Sequence, residues 1–247
     1  YGNAGGKFNG MGRLQLIQTL IGATPLVIGK PGRSVTFEAS DASCIILRLP
    51  AGGPPAAFPA TLGDATMAPP ECQTSPTPLP LKNDKFRNVF LGQLIALSLN
   101  VRLSPDLITL ELCAVMNTSG GQILIAGPVL NALTALGLPQ TVGGLLELAN
   151  RAIAGHATGG ATIPQINSAI DAINIGFDEC ESFNGCGLAN AGTLNRSNLE
   201  GTDGTGGGVP TVFALHKNYP NPFNPTTRIN YDLPEQSMVR ISVFNIL

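Results

Sequence analysis

Two histidines, five cysteines and a thin scatter of carboxylates are the residues of this 247-residue chain whose types can do chemistry. Their spacing points away from catalysis. His156 falls just past the end of a helical pattern, where a cation suits the helix dipole. His216 lies in a turn-rich C-terminal stretch. Neither stands in a GxSxG, HExxH or local Cys-His context, so no activated nucleophile or metal-bound water is implied. Asp178, Glu179 and Glu181 cluster at a helix end without the alternating oxygen ligands of a calcium loop. Asp171 and Asp178 share a helix face two turns apart and show no acid–base pairing. The run GTDGTGGG (201–208) has neither a leading strand nor a Walker lysine, so it is no phosphate cradle. The expectation is a non-enzyme with no catalytic residues, no cofactor and no metal.

The cysteines carry covalent chemistry instead. Cys44, Cys72, Cys113, Cys180 and Cys186 include no CxxC pair, which speaks against zinc. Disulfides in an oxidising compartment are the default for such a set. Cys180 and Cys186 are near enough to close a small loop, and Cys44, Cys72 and Cys113 can supply a second bridge. One cysteine is left free or joined to another chain. The connectivity stays open at this level.

Charge narrows the partners. Charged residues are 12% of the chain, about half the usual share, and the formal net charge is −2. Nothing attracts nucleic acid or an anionic membrane. No charge occurs between Arg48 and Asp64, or between Glu111 and Glu147. Such tracts are either buried or covered by a partner, and burial is the simpler expectation. The most apolar stretch, Ile123–Leu138, is broken by Gly127, Pro128, Asn131 and Gly137 and is too short to span a membrane. The opening YGNAGGKFNG reads as a mature product or a fragment, without a signal peptide. The absence of tryptophan weakens carbohydrate binding. The sequons at Asn117 and Asn195 have the N-glycosylation pattern.

The elements that must hold these residues read as follows. Residues 1–10 form an extended arm, and 14–20 are either strand or short helix. PLVIG (25–29) is a short apolar run, KPGR (30–33) reads as a turn, and SVTFEA (34–39) alternates like a half-buried strand. Ser40 or Asp41 caps a helix through Leu47. Residues 51–81, rich in proline, read as a semi-rigid loop. Asn83 or Asp84 caps an all-round apolar helix over 84–101, the centre of the domain. Ile108, Leu110 and Leu112 alternate as a strand. Residues 121–138 are ambiguous. Thr141 caps one helix, and Thr162 with Gln165 forms a capping box for the next, giving an αα-hairpin. The fold class is therefore α+β: a mixed domain over 1–186 with a central apolar helix. A Gly/Asn/Ser-rich linker follows over 187–210.

The last segment, 211–247, differs. Asn218 to Pro225 reads as a proline-locked turn with Tyr219 and Phe223 as plugs. Ile229, Tyr231 and Leu233 alternate as one strand, and Val239, Ile241 and Val243 as a second after Pro234-Glu235. The run NYPNPFNPTT, an alternating strand, LPE, and a strand ending VFNIL resemble the type A sorting domain of type IX secretion. The resemblance covers residues 213–247. It implies an immunoglobulin-like sandwich, engagement of export machinery, and release or attachment at a cell-surface anchor. The chain stops at Leu247, where that family continues with further strands, which leaves the sandwich incomplete. The runs KPGRSVTF, RLPAGGPPAA, KFRNVFLGQLIALSLNVRL and LPQTVGGLLELANRAI are similar to uncharacterised regions preceding such domains, with no implied activity.

Two isolated strands are not stable in water. They are expected to dock on their own globule or, by strand addition, on another copy. The resulting expectation is an exported, extracellular or cell-surface structural protein that polymerises head to tail with itself. The alternatives are a monomeric adhesin or ligand-binding module, and an exported hydrolase without a recognisable motif.

Overall fold

The computed structural model describes residues 7–118, 121–176, 183–187, 214–215 and 231–232. The chain divides into two compact units, 1–188 and 189–247.

The first unit is α+β. It opens with a hairpin, β1 (Lys7–Phe8) and β2 (Met11–Gly12), where an extended arm is expected. The turn is Asn9-Gly10, both at positive φ, the dipeptide that a two-residue hairpin favours. Helix α1 (Arg13–Ile21) follows and resolves the ambiguity over 14–20. Strands β3 (Leu26–Lys30) and β4 (Arg33–Phe37) pair antiparallel about Pro31-Gly32; the turn and the second strand are as the sequence predicts, and the apolar run before them is the first strand. A short 3-10 turn (Ala39–Asp41) leads into α2 (Ala42–Arg48).

Residues 51–81 are more ordered than a proline-rich loop. They contain β5 (Asp64–Ala68) and β6 (Gln73–Ser75), which extend the sheet to the order β3-β4-β5-β6. The β4–β5 pair is parallel and the β5–β6 pair antiparallel. Prolines bracket these strands and do not interrupt them, which is where the ladder tolerates a missing N–H. The sheet buries Leu26, Ile28, Val35, Phe37, Ala65 and Met67 on one face.

The central helix starts later than expected. Asn83 and Asp84, both at positive φ, form the turn of a hairpin between β7 (Leu81–Lys82) and β8 (Lys85–Phe86). Helix α3 (Val89–Leu103) is capped instead by Asn88, whose side chain accepts from the Phe90 N–H. Its interior placement holds: Phe90, Leu91, Leu94, Ile95, Leu97, Ser98 and Leu99 are buried around its circumference. Ser98, the polar exception, donates to the Leu94 carbonyl one turn back. The strand expected at 108–112 is cut short: a 3-10 turn (Pro105–Thr109), which Pro105 opens at its first position, takes its start, and an isolated antiparallel bridge from Glu111 to Thr141 is what remains.

The uncertain stretch 121–138 divides into strand and helix. β9 (Val115–Thr118) and β10 (Gly121–Leu124) pair antiparallel, and α4 (Gly127–Ala135) follows. Helices α5 (Val142–Ile153) and α6 (Ile163–Gly176) then pack on each other and on α3 as the expected helical hairpin. The Thr141 hydroxyl accepts from the Gly144 N–H. Thr162 and Gln165 exchange backbone-to-side-chain bonds as a capping box. β11 (Phe183–Cys186) joins the far side of β9, giving the order β10-β9-β11.

The uncharged tract 112–146 corrects a second expectation. Burial accounts for only its inward half, which includes Met116, Ile123, Val129 and Leu133. Gln122, Leu124, Asn131 and Thr134 are exposed, so the outer face of this region is uncharged too.

In the second unit the described residues are β12 (Ala214–Leu215) and β13 (Tyr231–Asp232), an antiparallel pair with Leu215 opposite Tyr231.

Candidate functional site

Cysteine chemistry is realised as two intramolecular disulfides, Cys44–Cys72 and Cys113–Cys186. The small Cys180–Cys186 loop is therefore not formed: Cys186 ends β11 and reaches Cys113, just before β9, across the three-stranded sheet. Chain proximity misled here because β11 returns to pair with a strand about seventy residues earlier. Cys180 lies outside the described residues.

The first disulfide is the centre of a polar clamp. Cys44 and Arg48 sit one turn apart on α2 and share a face. The sulfur of Cys44 binds Cys72, while the Arg48 guanidinium donates to the carbonyls of Glu71 and Cys72, each at 2.6 Å. It also donates to the Asp84 carbonyl at 2.9 Å, linking the β7–β8 turn. Cys72 is held at φ 51, a left-handed conformation that costs a non-glycine residue stability. Arg48 is 5% exposed, so its charge is matched by backbone dipoles rather than by water. From the other side, the Lys85 ammonium donates to the Leu47 and Leu49 carbonyls at the C-terminal end of α2.

Two further charges are committed in the same way. Arg102, in the last turn of α3, donates to the carbonyls of Leu20, Ile21, Thr24 and Pro25, which closes the end of α1. Burial lowers its pKa from the ordinary arginine value. The Asp64 carboxylate accepts from the Ser34 hydroxyl and the Gly32 N–H, pinning the β3–β4 turn to β5. These donors hold its pKa below 3.8. Asp41 shows the opposite balance. Burial raises its pKa, partly offset by bonds from the Glu38 N–H and Ser40.

The other sequence candidates disperse. His156 follows α5, as expected, and its N–H donates to the Arg151 carbonyl. Asp171 accepts from Gln93, and Asn174 bonds both Gln93 and Asn100, so these polar groups join α6 to α3. Asn117 accepts from Gln122 across the β9–β10 pair. Asp178, Glu179, Glu181, Asn195 and His216 lie outside the described residues. Among the described residues no group of three or more His, Cys, Asp or Glu side chains is placed to hold a metal ion. No described helix is long and apolar enough to cross a membrane.

Of the C-terminal candidates, Tyr231 falls in β13. Tyr219, Phe223, Ile229, Leu233, Val239, Ile241 and Val243 lie outside the described residues. Sequence reasoning missed Arg48. A lone arginine at i+4 from a cysteine on a helix is its only signal, and it becomes meaningful once Cys72 is known to be the partner.

No family model matches the chain, and neither the curated proteins nor the solved structures give a match.

Proposed function

We propose that this is an exported structural protein of the cell surface or extracellular space, which assembles head to tail by adding a C-terminal strand of one copy to the sheet of another. The observation that carries the reading is the covalent and polar closure of the first unit. Two disulfides tie its loops, and Arg48, Arg102 and Lys85 are spent on backbone carbonyls. Disulfides of this kind persist in oxidising compartments, which supports export. The motif NYPNPFNPTT and the following LPE support type IX sorting as the route, with strands of an immunoglobulin-like sandwich at the C-terminal end. The alternation of Val239, Ile241 and Val243 supports strand donation, since one apolar face and exposed backbone are what an accepting sheet edge requires.

Electron microscopy and light scattering of the purified full chain test the reading. Head-to-tail addition does not close, so an open series of masses and filaments is expected. Ile241→Lys should collapse the series. A full chain that stays at a single low mass over all concentrations overturns the assembly reading.

A further inference from the structure

Among the described residues the edge of β10 is unguarded, and its geometry suits a second copy of itself. The register pairs Gly121 with Thr118, Gln122 with Asn117, Ile123 with Met116 and Leu124 with Val115. The Ile125 N–H donates to the Ala114 carbonyl, which fixes the phase of the ladder. In an antiparallel pair hydrogen-bonded and non-bonded positions alternate. Gly121, Ile123 and Ile125 therefore bond inward to β9, while the N–H and C=O of Gln122 and Leu124 point out from the sheet. No described group bonds them.

Both edges of the four-stranded sheet are covered. The Gly29 N–H on β3 donates to the Asn150 side chain of α5, and Lys30 pairs with Glu147 there. On β6, Gln73 and Thr74 turn their side chains to Thr77 and Leu79 of the chain folding back over them. Natural edges are usually blunted by lysine, proline or a bulge. β10 has none of these within Gly121–Leu124, and two half-exposed aliphatic residues flank it: Leu124 at 41% and Ile175 at 48%. Ile175 adjoins Gly176, which packs directly on the Ile123 side chain.

We infer that β10 pairs antiparallel with β10 of a second copy about a two-fold axis through Ile123. In that register Gln122 exchanges both backbone bonds with the second copy's Leu124, and Leu124 with its Gln122, so every outward group is satisfied. Ile123 meets its own copy on the core-facing side. Leu124 lies beside Gln122 of the second copy on the other face. The charge pattern selects this occupant. A two-fold contact sets each residue near itself, so any charge on the edge would face a like charge. The tract from Leu112 to Leu146 has none. The C-terminal strand 239–243 brings Arg240, for which Gly121–Leu124 itself carries no counter-charge.

This contact is separate from head-to-tail addition, because it closes at a dimer. The test is sedimentation of the full chain carrying Ile241→Lys, which disables the C-terminal strand. A dimer is expected. Gln122→Pro removes an outward N–H and the side-chain bond to Asn117 while leaving the backbone bonds to β9, and it should weaken the dimer about tenfold or more. Leu124→Lys alone and Gln122→Glu alone should each weaken it, and the two together should restore it, since each lysine then faces a glutamate across the axis. A monomer in the Ile241→Lys chain overturns the inference. A dimer indifferent to Gln122→Pro and Leu124→Lys overturns it as well.

Discussion

Arg48 hydrogen-bonds the carbonyl of Cys72, the residue to which Cys44, one turn earlier on the same helix, is covalently joined. One turn of α2 thus holds a single loop by two independent means. The disulfide restricts how far the loop can stray, and the guanidinium fixes which way its carbonyls point. Removing the arginine leaves those carbonyls buried and unpaired. Arg48→Met is expected to lower stability by about 3 kcal/mol. Arg48→Lys should recover little, because an ammonium cannot reproduce the planar fork. Asp84→Asn, which keeps a residue suited to the left-handed φ of 60 at this turn, should change almost nothing, since the Asp84 side chain is 87% exposed and its ion pair with Arg48 spans 3.7 Å. Urea titrations of the three variants check this order.

The disulfides themselves should differ in what they contribute. Their sequence separations are 28 and 73 residues. Loop-closure entropy then assigns about 3.6 kcal/mol to Cys44–Cys72 and about 4.4 kcal/mol to Cys113–Cys186. Paired Cys→Ser variants, unfolded in urea, should rank in that order. Peptide mapping without reduction should recover Cys113 joined to Cys186. Recovery of a Cys180–Cys186 peptide would contradict the pairing.

Asp64 and Asp41 should move acid stability in opposite directions. The folded pKa of Asp64 is depressed below 3.8. Its contribution is therefore present above 3.8 and is lost as pH falls through the lower folded value. The folded pKa of Asp41 is raised above 3.8. Its contribution is full below 3.8 and is lost as pH rises through the folded value. Asp64→Asn should flatten the acid-side fall in the urea midpoint, and Asp41→Asn should steepen it. Midpoints measured from pH 2.5 to 6 check both signs.

Much of this fold is legible in the sequence where a cap stands directly before an amphipathic run. Thr141, Thr162 with Gln165, and Asp41 each open a helix as expected. Asn83-Asp84 misleads because the residues that cap helices also tolerate the left-handed region, and here they turn a hairpin. Leu110 and Leu112 alternate like a strand, but Pro105 and the Leu107-to-Ser104 bond commit the chain to a 3-10 turn first. Of the bridges, Cys44–Cys72 falls within the set of three that the sequence offers, but Cys113–Cys186 is not legible. Cys113 and Cys186 become neighbours only through the long-range pairing of β9 with β11.

Glycines give a last check, because two of them differ only in what surrounds them. Gly144 lies in the first turn of α5, where a Cβ would run into the Pro139 carbonyl oxygen. That atom belongs to the backbone of the preceding turn, and the Leu112 N–H bonds its neighbour Gln140, so the turn has little freedom to retreat. Gly144→Ala must therefore shift the start of α5, and with it the Thr141 cap. Overpacking of this kind costs roughly 1–3 kcal/mol. Gly127 opens α4 with open space where its Cβ would go, at a φ that alanine accepts. There the gain from restricting the unfolded chain is opposed by Pro128, which crowds a preceding Cβ in the helical region, so the net change should be close to zero. Paired thermal melts should show a clear loss for Gly144→Ala and almost no shift for Gly127→Ala. A loss of stability at Gly127 equal to that at Gly144 would mean that helix propensity and local space do not govern these positions.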